Sequence, residues 1–146
     1  MNVLVTGNNG YVGTILTEAL LEKGYNVTGL DVNYFESCVL GDIDYKSKQI
    51  IKDIRTVKSQ DIDGFDAIIH LAGLSNDPLG ELNADLTEEI NFHGTLKLAR
   101  LAKMVGVKRF VYASSQSMYG ISDVENELDE YNSEKNPVTA YARTKW

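Results

Sequence analysis

Gly7, Gly10 and Gly13 recur at a three-residue spacing, and an acid, Asp31, stands about 18 residues beyond the last of them. The chemistry this suits is anion binding. A helix N-terminus leaves backbone N–H groups unpaired and carries roughly half a positive charge, so a pyrophosphate can rest on it. Side chains at Gly7 or Gly10 would hold that anion away, and Gly13 lets the helix pack close to the preceding strand. An acid at the spacing of Asp31 can bond a ribose 2′-hydroxyl. No arginine follows Asp31 directly to pair with a 2′-phosphate, which favours NAD over NADP. The spacing is G-x-x-G-x-x-G rather than G-x-G-x-x-G, and a strand–turn–helix without a ligand could carry the same glycines. The order strand, turn, helix, strand, acid favours the site.

A second group lies far along the chain. Ser114, Ser115 and Ser117 follow an apolar run, and Tyr141 and Lys145, four residues apart, share one helical face. Hydroxyls at the carboxyl end of a strand face the crevice where open parallel sheets bind ligands, as Gly7, Asp31, Asp53, Ile54, Ala72 and Gly73 also would. His70 could act as a base, but a histidine ending an apolar strand reads better as a hydrogen-bonded core residue. Asn91, on an otherwise apolar helical face, reads as a satisfied buried amide. Tyr34 and Phe35 fit either a cover for an adenine ring or surface loop packing.

The elements that must position these residues follow from periodicity. Val3 to Val5 is a short buried strand, and Val12, Ile15, Leu16, Ala19 and Leu20 mark one face of a helix that Gly24 stops. Tyr25 to Leu30 leads a second strand to Asp31. Gln49 to Ile54 reads as a third and Ala67 to Leu71 as a fourth. Val32 to Lys48 carries little pattern. Leu74 to Ala84 is a loop by its Asn, Asp, Pro and Gly content. Asp85 to Glu88 resembles a capping box opening a helix with Leu86, Ile90, Gly94, Leu98 and Leu101 on one face, ended by Gly106. Arg109 to Ala113 is a fifth strand, Val124 to Asn136 an acidic loop, and Pro137 and Thr139 open the helix of Tyr141. This βαβ…β…βαβ order gives an α/β fold, a doubly wound parallel sheet.

Composition narrows the class. A chain of 146 residues with 43% hydrophobic residues and two prolines suits one ordered domain. A net charge of −7 argues against nucleic acid as a partner. The single Cys38 cannot form an internal disulfide, and no Cys/His cluster has metal-ligand spacing. The apolar run at Val3 to Val5 is too short for a signal or a membrane span, so a cytoplasmic setting is the expectation.

Taken together, TGNNGYVG at Thr6 to Gly13, Asp31, Asp53-Ile54, HLAG at His70 to Gly73, Asn91 with Gly94-Thr95, SSQSMYG at Ser114 to Gly120 and YARTK at Tyr141 to Lys145 resemble the extended short-chain dehydrogenase/reductase family. These are the NAD-dependent sugar-nucleotide epimerases and dehydratases. The resemblance implies a Rossmann-like fold in which Gly7, Gly10 and Gly13, with the N–H groups of Tyr11 and Val12, hold the pyrophosphate of NAD. Asp31 would bind the adenosine ribose, Asp53 and Ile54 would border adenine, and Leu71, Ala72 and Gly73 would lie along the cofactor. Asn91 would be a structural amide behind the active site. Ser115 would bond the reacting hydroxyl, Tyr141 would be the catalytic base or acid, and Lys145 would bond the nicotinamide ribose.

Departures from the family sharpen the expectation. The dehydratases carry an acidic pair just after the Ser/Thr, where this chain has Gln116 and Ser117, so an epimerase of UDP-hexose type leads. A nucleotide-sugar reductase or dehydrogenase, and a non-catalytic NAD-binding piece, are the alternatives. Family members also run to roughly twice this length, so residues 1–146 are expected to be an incomplete NAD-binding domain, truncated before the last strands and the C-terminal substrate domain. Ser75 and Asn76 would border the nucleotide sugar, and the full-length protein is expected to be a homodimer.

Overall fold

The computed structural model describes residues 1–38, 47–121 and 127–146. In chain order its elements are β1 (Asn2–Thr6), α1 (Tyr11–Glu22), β2 (Asn26–Asp31), β3 (Lys48–Ile51), α2 (Ser59–Ile62), β4 (Ala67–His70), α3 (Asp77–Leu82), α4 (Ala84–Thr87), α5 (Gly94–Met104), β5 (Arg109–Tyr112) and α6 (Ala140–Lys145). A π turn, Glu88–His93, lies between α4 and α5, and 3-10 turns occur at Glu36–Cys38, Ile54–Thr56 and Gln116–Tyr119. Contacts divide the chain into a first unit, Met1–Ala72 with Gly94–Tyr112, and a second, Gly73–His93 with Ala113–Trp146. Of the stretches expected to be irregular, the middle of Val32 to Lys48 and the start of Val124 to Asn136 lie outside the described residues.

The first unit is a five-stranded parallel sheet in the order β3-β2-β1-β4-β5. β1 is central: Val3, Leu4, Val5 and Thr6 are at most 1% exposed, as a parallel strand covered on both faces requires. Val3 and Val5, with Val27 of β2, pack against Leu16, Leu20 and Leu21 of α1. Leu4 and Ile68 pair in register and point to the opposite face, as do Thr6 and His70. There His70 Nε2 lies 2.8 Å from Thr95 Oγ1, which sets α5 on that face. Helices on both faces make the sheet doubly wound, the Rossmann-like α/β fold expected.

Gly24 and Gly106 end α1 and α5 as anticipated, with φ of 78° and 82°. At each, two backbone bonds close a Schellman motif: Gly24 N to Leu21 O and Tyr25 N to Leu20 O, then Gly106 N to Lys103 O and Val107 N to Ala102 O. The buried face of α1 differs from the expected one. Val12 and Ile15 are 61% and 67% exposed, whereas Gly13 and Thr17 are buried. A Cβ on Gly13 would lie 2.1 Å from Gly7 O, and this close approach fixes the rotation of the helix. β3 also ends earlier than expected, at Ile51, because Asp53 opens a 3-10 turn by accepting a bond from Arg55 N at 2.8 Å.

The second unit is helical. Leu74 to Ala84 is not an open loop: Asn76 caps α3 by accepting from Leu79 N at 2.9 Å, with Pro78 in the first turn. The cap of α4 is Asn83, which accepts from Leu86 N at 3.0 Å, and not Asp85. The expected face of Leu86 and Ile90 is displaced by one residue, since Thr87 and Asn91 are the buried positions. Both polar side chains are satisfied locally. Thr87 Oγ1 donates to Gly80 O and Asn83 O, while Asn91 exchanges two bonds with the backbone of Leu74, at 2.8 and 3.0 Å. A satisfied polar group can be buried at little cost, so the apolar pattern alone misplaced the face.

Candidate functional site

Gly7, at φ 73°, donates to Leu30 O at 2.8 Å, and a Cβ there would lie 2.7 Å from Ala72 N. Its backbone must therefore be glycine. Gly10 donates to Gly7 O at 3.1 Å and precedes α1 as an N-cap without a side-chain bond. Thr14 N, bonded to Gly10 O at 3.1 Å, is the first intrahelical donor, so Tyr11, Val12 and Gly13 stand at the open first turn of the helix. Tyr11 is 92% exposed, leaving that turn accessible. A twelve-residue helix whose uncapped N-terminus follows a loop with no side chain at Gly7 or Gly10 is a cradle that fits a pyrophosphate.

Asp31 ends β2 beside this cradle. Its Oδ2 accepts from Asn9 N at 3.2 Å and its Oδ1 from Asn33 N at 2.9 Å, so the carboxylate is tied to the glycine loop. Asn33 takes a left-handed φ of 59°, and Asn9 Nδ2 donates to Asn33 Oδ1. Asn8, buried at 2% exposure, donates to Gln49 Oε1 at 3.0 Å and lies against Gly29, where a Cβ would meet it at 2.2 Å. These amides hold the loop and the ends of β2 and β3 as one assembly.

Asp53 is engaged by Arg55, whose Nη2 donates at 2.6 Å and whose Nε reaches both carboxylate oxygens at 3.1 Å. The bond from the Arg55 side chain holds the Asp53 carboxyl below its ordinary value. Ile54 is buried at 5% exposure. Leu71 and Ala72 follow β4, with Leu71 N bonded to Thr6 O and Ala72 N to Thr6 Oγ1. His70 is fully buried, its Nδ1 2.6 Å from Thr6 Oγ1, as a bonded core residue should be. Tyr34 and Phe35 are 76% and 66% exposed.

In the second unit, Gly73 lies against Asn91, whose Oδ1 would meet an added Cβ at 2.8 Å. Ser115 Oγ accepts from Ser117 N at 3.2 Å and donates to Ser117 Oγ at 3.0 Å, capping a 3-10 turn. Thr139 caps α6 through a 3.1 Å bond from Ala142 N. Lys145 is buried, donates to Ala113 O at 3.1 Å, and sets its Nζ 5.7 Å from the centre of the Tyr141 ring. Burial lowers the pKa of Lys145. Ser114 Oγ donates to Lys145 O at 2.7 Å. A phenol beside a buried ammonium on one helix can exchange a proton with a bound hydroxyl.

Sequence reasoning missed several contributors. Asn9 and Asn33 left no signal, because their pairing depends on the left-handed turn at Asn33. The bonds from α3 to the start of α6 were also unseen, although Asn76 followed by Pro78 is a legible helix opening. Asn76, a candidate for the substrate border, spends its side-chain oxygen on that cap. Among the described residues no group of His, Cys, Asp and Glu could hold a metal, and no helix is long and apolar enough to cross a membrane.

The chain is similar to a UDP-glucose 4-epimerase from Klebsiella pneumoniae, 32% identical over 131 residues covering 82% of this chain and 93% of that sequence. It is 34% identical to UDP-glucuronic acid decarboxylase 1 of Xenopus tropicalis over 139 residues, 93% of this chain but 32% of the relative. The crystal structure of the Thermus thermophilus UDP-glucose 4-epimerase in complex with NAD superposes with a TM-score of 0.84 at 25% identity, covering 99% of this chain and 47% of that one. The chain thus spans a third of the decarboxylase and under half of the Thermus enzyme. The pattern of the NAD dependent epimerase/dehydratase family matches residues 3–146, strand β1 through the helix of Tyr141 and Lys145, and the chain belongs to that NAD-dependent family.

Proposed function

We propose that this chain is the NAD-binding part of a cytoplasmic nucleotide-sugar epimerase of the UDP-hexose 4-epimerase type, with Ser115, Tyr141 and Lys145 as its reacting set. The observation that carries the reading is the buried Lys145 ammonium held 5.7 Å from the Tyr141 ring on a helix tied by Ser114. Gly7, Gly10, Gly13 and the N–H groups of Tyr11 and Val12 would hold the pyrophosphate, and Asp31 the adenosine ribose. Asp53 and Ile54 would border adenine, with Leu71, Ala72 and Gly73 alongside the cofactor. Bound NAD would supply the hydride acceptor and donor.

Tyr141 would take the proton of the sugar hydroxyl as hydride leaves the same carbon, then return it once the keto sugar has turned over. Lys145, whose Nζ lies 5.7 Å from the centre of the Tyr141 ring, would place a positive charge beside the proton transfer. Ser115 would orient the hydroxyl for that transfer. Gln116 and Ser117 cannot supply the acid–base pair that elimination of water needs, which disfavours a dehydratase. The homodimer belongs to the same reading: Glu88 and Arg143, of opposite charge, line with Phe92 a cavity of about 240 Å³ on the second unit. A two-fold axis could pair each Glu88 with the other copy's Arg143.

The test is turnover of UDP-hexoses by the protein bearing this chain. Interconversion of 4-epimers is expected without net NADH, and Tyr141→Phe should keep NAD affinity while losing about 10²- to 10⁴-fold in turnover. Unchanged turnover in that variant would remove Tyr141 from the mechanism. The similarity to a UDP-glucuronic acid decarboxylase favours a second reading, recognised by release of CO₂ from a UDP-hexuronic acid. Accumulating NADH would indicate a dehydrogenase, and NAD binding without any turnover a binding module.

A further inference from the structure

α6 opens at Ala140, one residue before Tyr141, so the placement of Tyr141 depends on the groups that hold this first turn, whose N–H groups have no partner within the helix. Ser114 and Ala113 each bond Lys145. The Tyr141 end is braced by α3, a segment with no assigned part in the chemistry. Glu81 Oε1 accepts from Ala140 N, the first N–H of the helix. Asp77 Oδ1 accepts from Thr139 Oγ1, whose lone pair in turn accepts from Ala142 N, so the cap hydroxyl is held from both sides. Between the two acids, buried Gly80 faces the tyrosine: a Cβ there would lie 3.2 Å from Tyr141 Cβ and 3.5 Å from Tyr141 N. α3 is itself anchored, since Thr87 Oγ1 donates to Gly80 O at 2.8 Å.

We propose that Asp77, Gly80 and Glu81 are positioning residues for Tyr141, two carboxylates and one bare backbone that set the first turn of the catalytic helix. This rests on Tyr141 as the acid–base group. A reacting group displaced by about 1 Å can cost on the order of 10²-fold in rate, while a ligand held by other elements binds as before. The brace therefore acts on kcat and leaves NAD affinity and KM in place. It also demands an acceptor at Glu81 and not a charge, because the bond it takes comes from a neutral amide.

The experiment compares Glu81→Ala, Glu81→Gln, Gly80→Ala and Tyr141→Phe in the protein bearing this chain. It reads kcat and KM for the UDP-hexose, NAD affinity, and hydrogen exchange at the amides of Ala140 to Ala142. Glu81→Ala and Gly80→Ala should lower kcat by about 10- to 100-fold with KM and NAD affinity within about twofold. Glu81→Gln, whose amide oxygen still accepts, should return kcat to within about threefold of the parent and restore the slow exchange at Ala140 that Glu81→Ala loses. Unchanged kcat in Glu81→Ala and Gly80→Ala while Tyr141→Phe is inactive would overturn the proposal, as would a failure of Glu81→Gln to rescue. If Tyr141→Phe keeps full turnover, the functional reading fails instead. The exchange at Ala140 then decides whether α3 braces α6: faster exchange in Glu81→Ala upholds the brace, and equal exchange rejects it. Should Gly80→Ala not fold, the two Glu81 variants carry the comparison.

Discussion

Two carboxylates at the ends of neighbouring strands meet different surroundings. Asp31 is held by backbone N–H groups of Asn9 and Asn33, which leave its oxygens lone pairs for a ribose. Asp53 is gripped by the side chain and backbone of Arg55, and its pKa falls below the ordinary 3.8. A lowered folded-state value means that the pair adds stability in full above the ordinary value, and that this is lost as pH falls through the folded one. Asp53→Asn should therefore flatten the acid limb of stability below about pH 4, measured as urea midpoints against pH. An acid limb identical to that of the parent would refute the assignment. The place of Asp31 beside the glycine loop was legible from its spacing to the glycines. Its amide partners were not, because no spacing rule announces a left-handed asparagine.

At the scale of elements, chain direction and helix ends were the legible part. Gly24 and Gly106 stop α1 and α5 where a left-handed residue was expected, since a Schellman motif is a local arrangement of six residues. A Cβ on Gly24 would meet nothing within 4 Å, so Gly24→Ala tests conformation alone. It should cost about 1 kcal/mol of stability by urea denaturation and leave NAD affinity unchanged. A neutral substitution would mean that the turn relaxes. The helices of the second unit were less legible. Thr87 and Asn91 are buried because neighbouring backbone satisfies them, and a reading that sorts faces by apolarity cannot count those bonds. The face of α1 was misjudged for a related reason: the contact of Gly13 with Gly7 O, and not the sum of apolar side chains, sets its rotation.

At the scale of the whole molecule, the proposed homodimer would set Glu88 of one copy against Arg143 of the other. Light scattering should report twice the mass of one chain, and Arg143→Glu should shift it toward one copy by setting like charges together. The double exchange Glu88→Arg with Arg143→Glu should restore the pair, and a mass indifferent to both changes would reject this surface. What the amino-acid order determined by itself was the five strands with α1 and α5, the glycine cradle with Asp31 beside it, and the placing of Tyr141 with Lys145 on one helix. Each of these rests on residues within one or two elements, where periodicity and spacing carry the information. Only the tertiary structure decided which groups hold Tyr141 in place. Asp77 and Thr139 stand 62 positions apart, as Asn91 and Thr144 stand 53 apart. A hydrogen bond over such a separation leaves no period in the sequence, and it exists only once packing has brought both backbones to the same place.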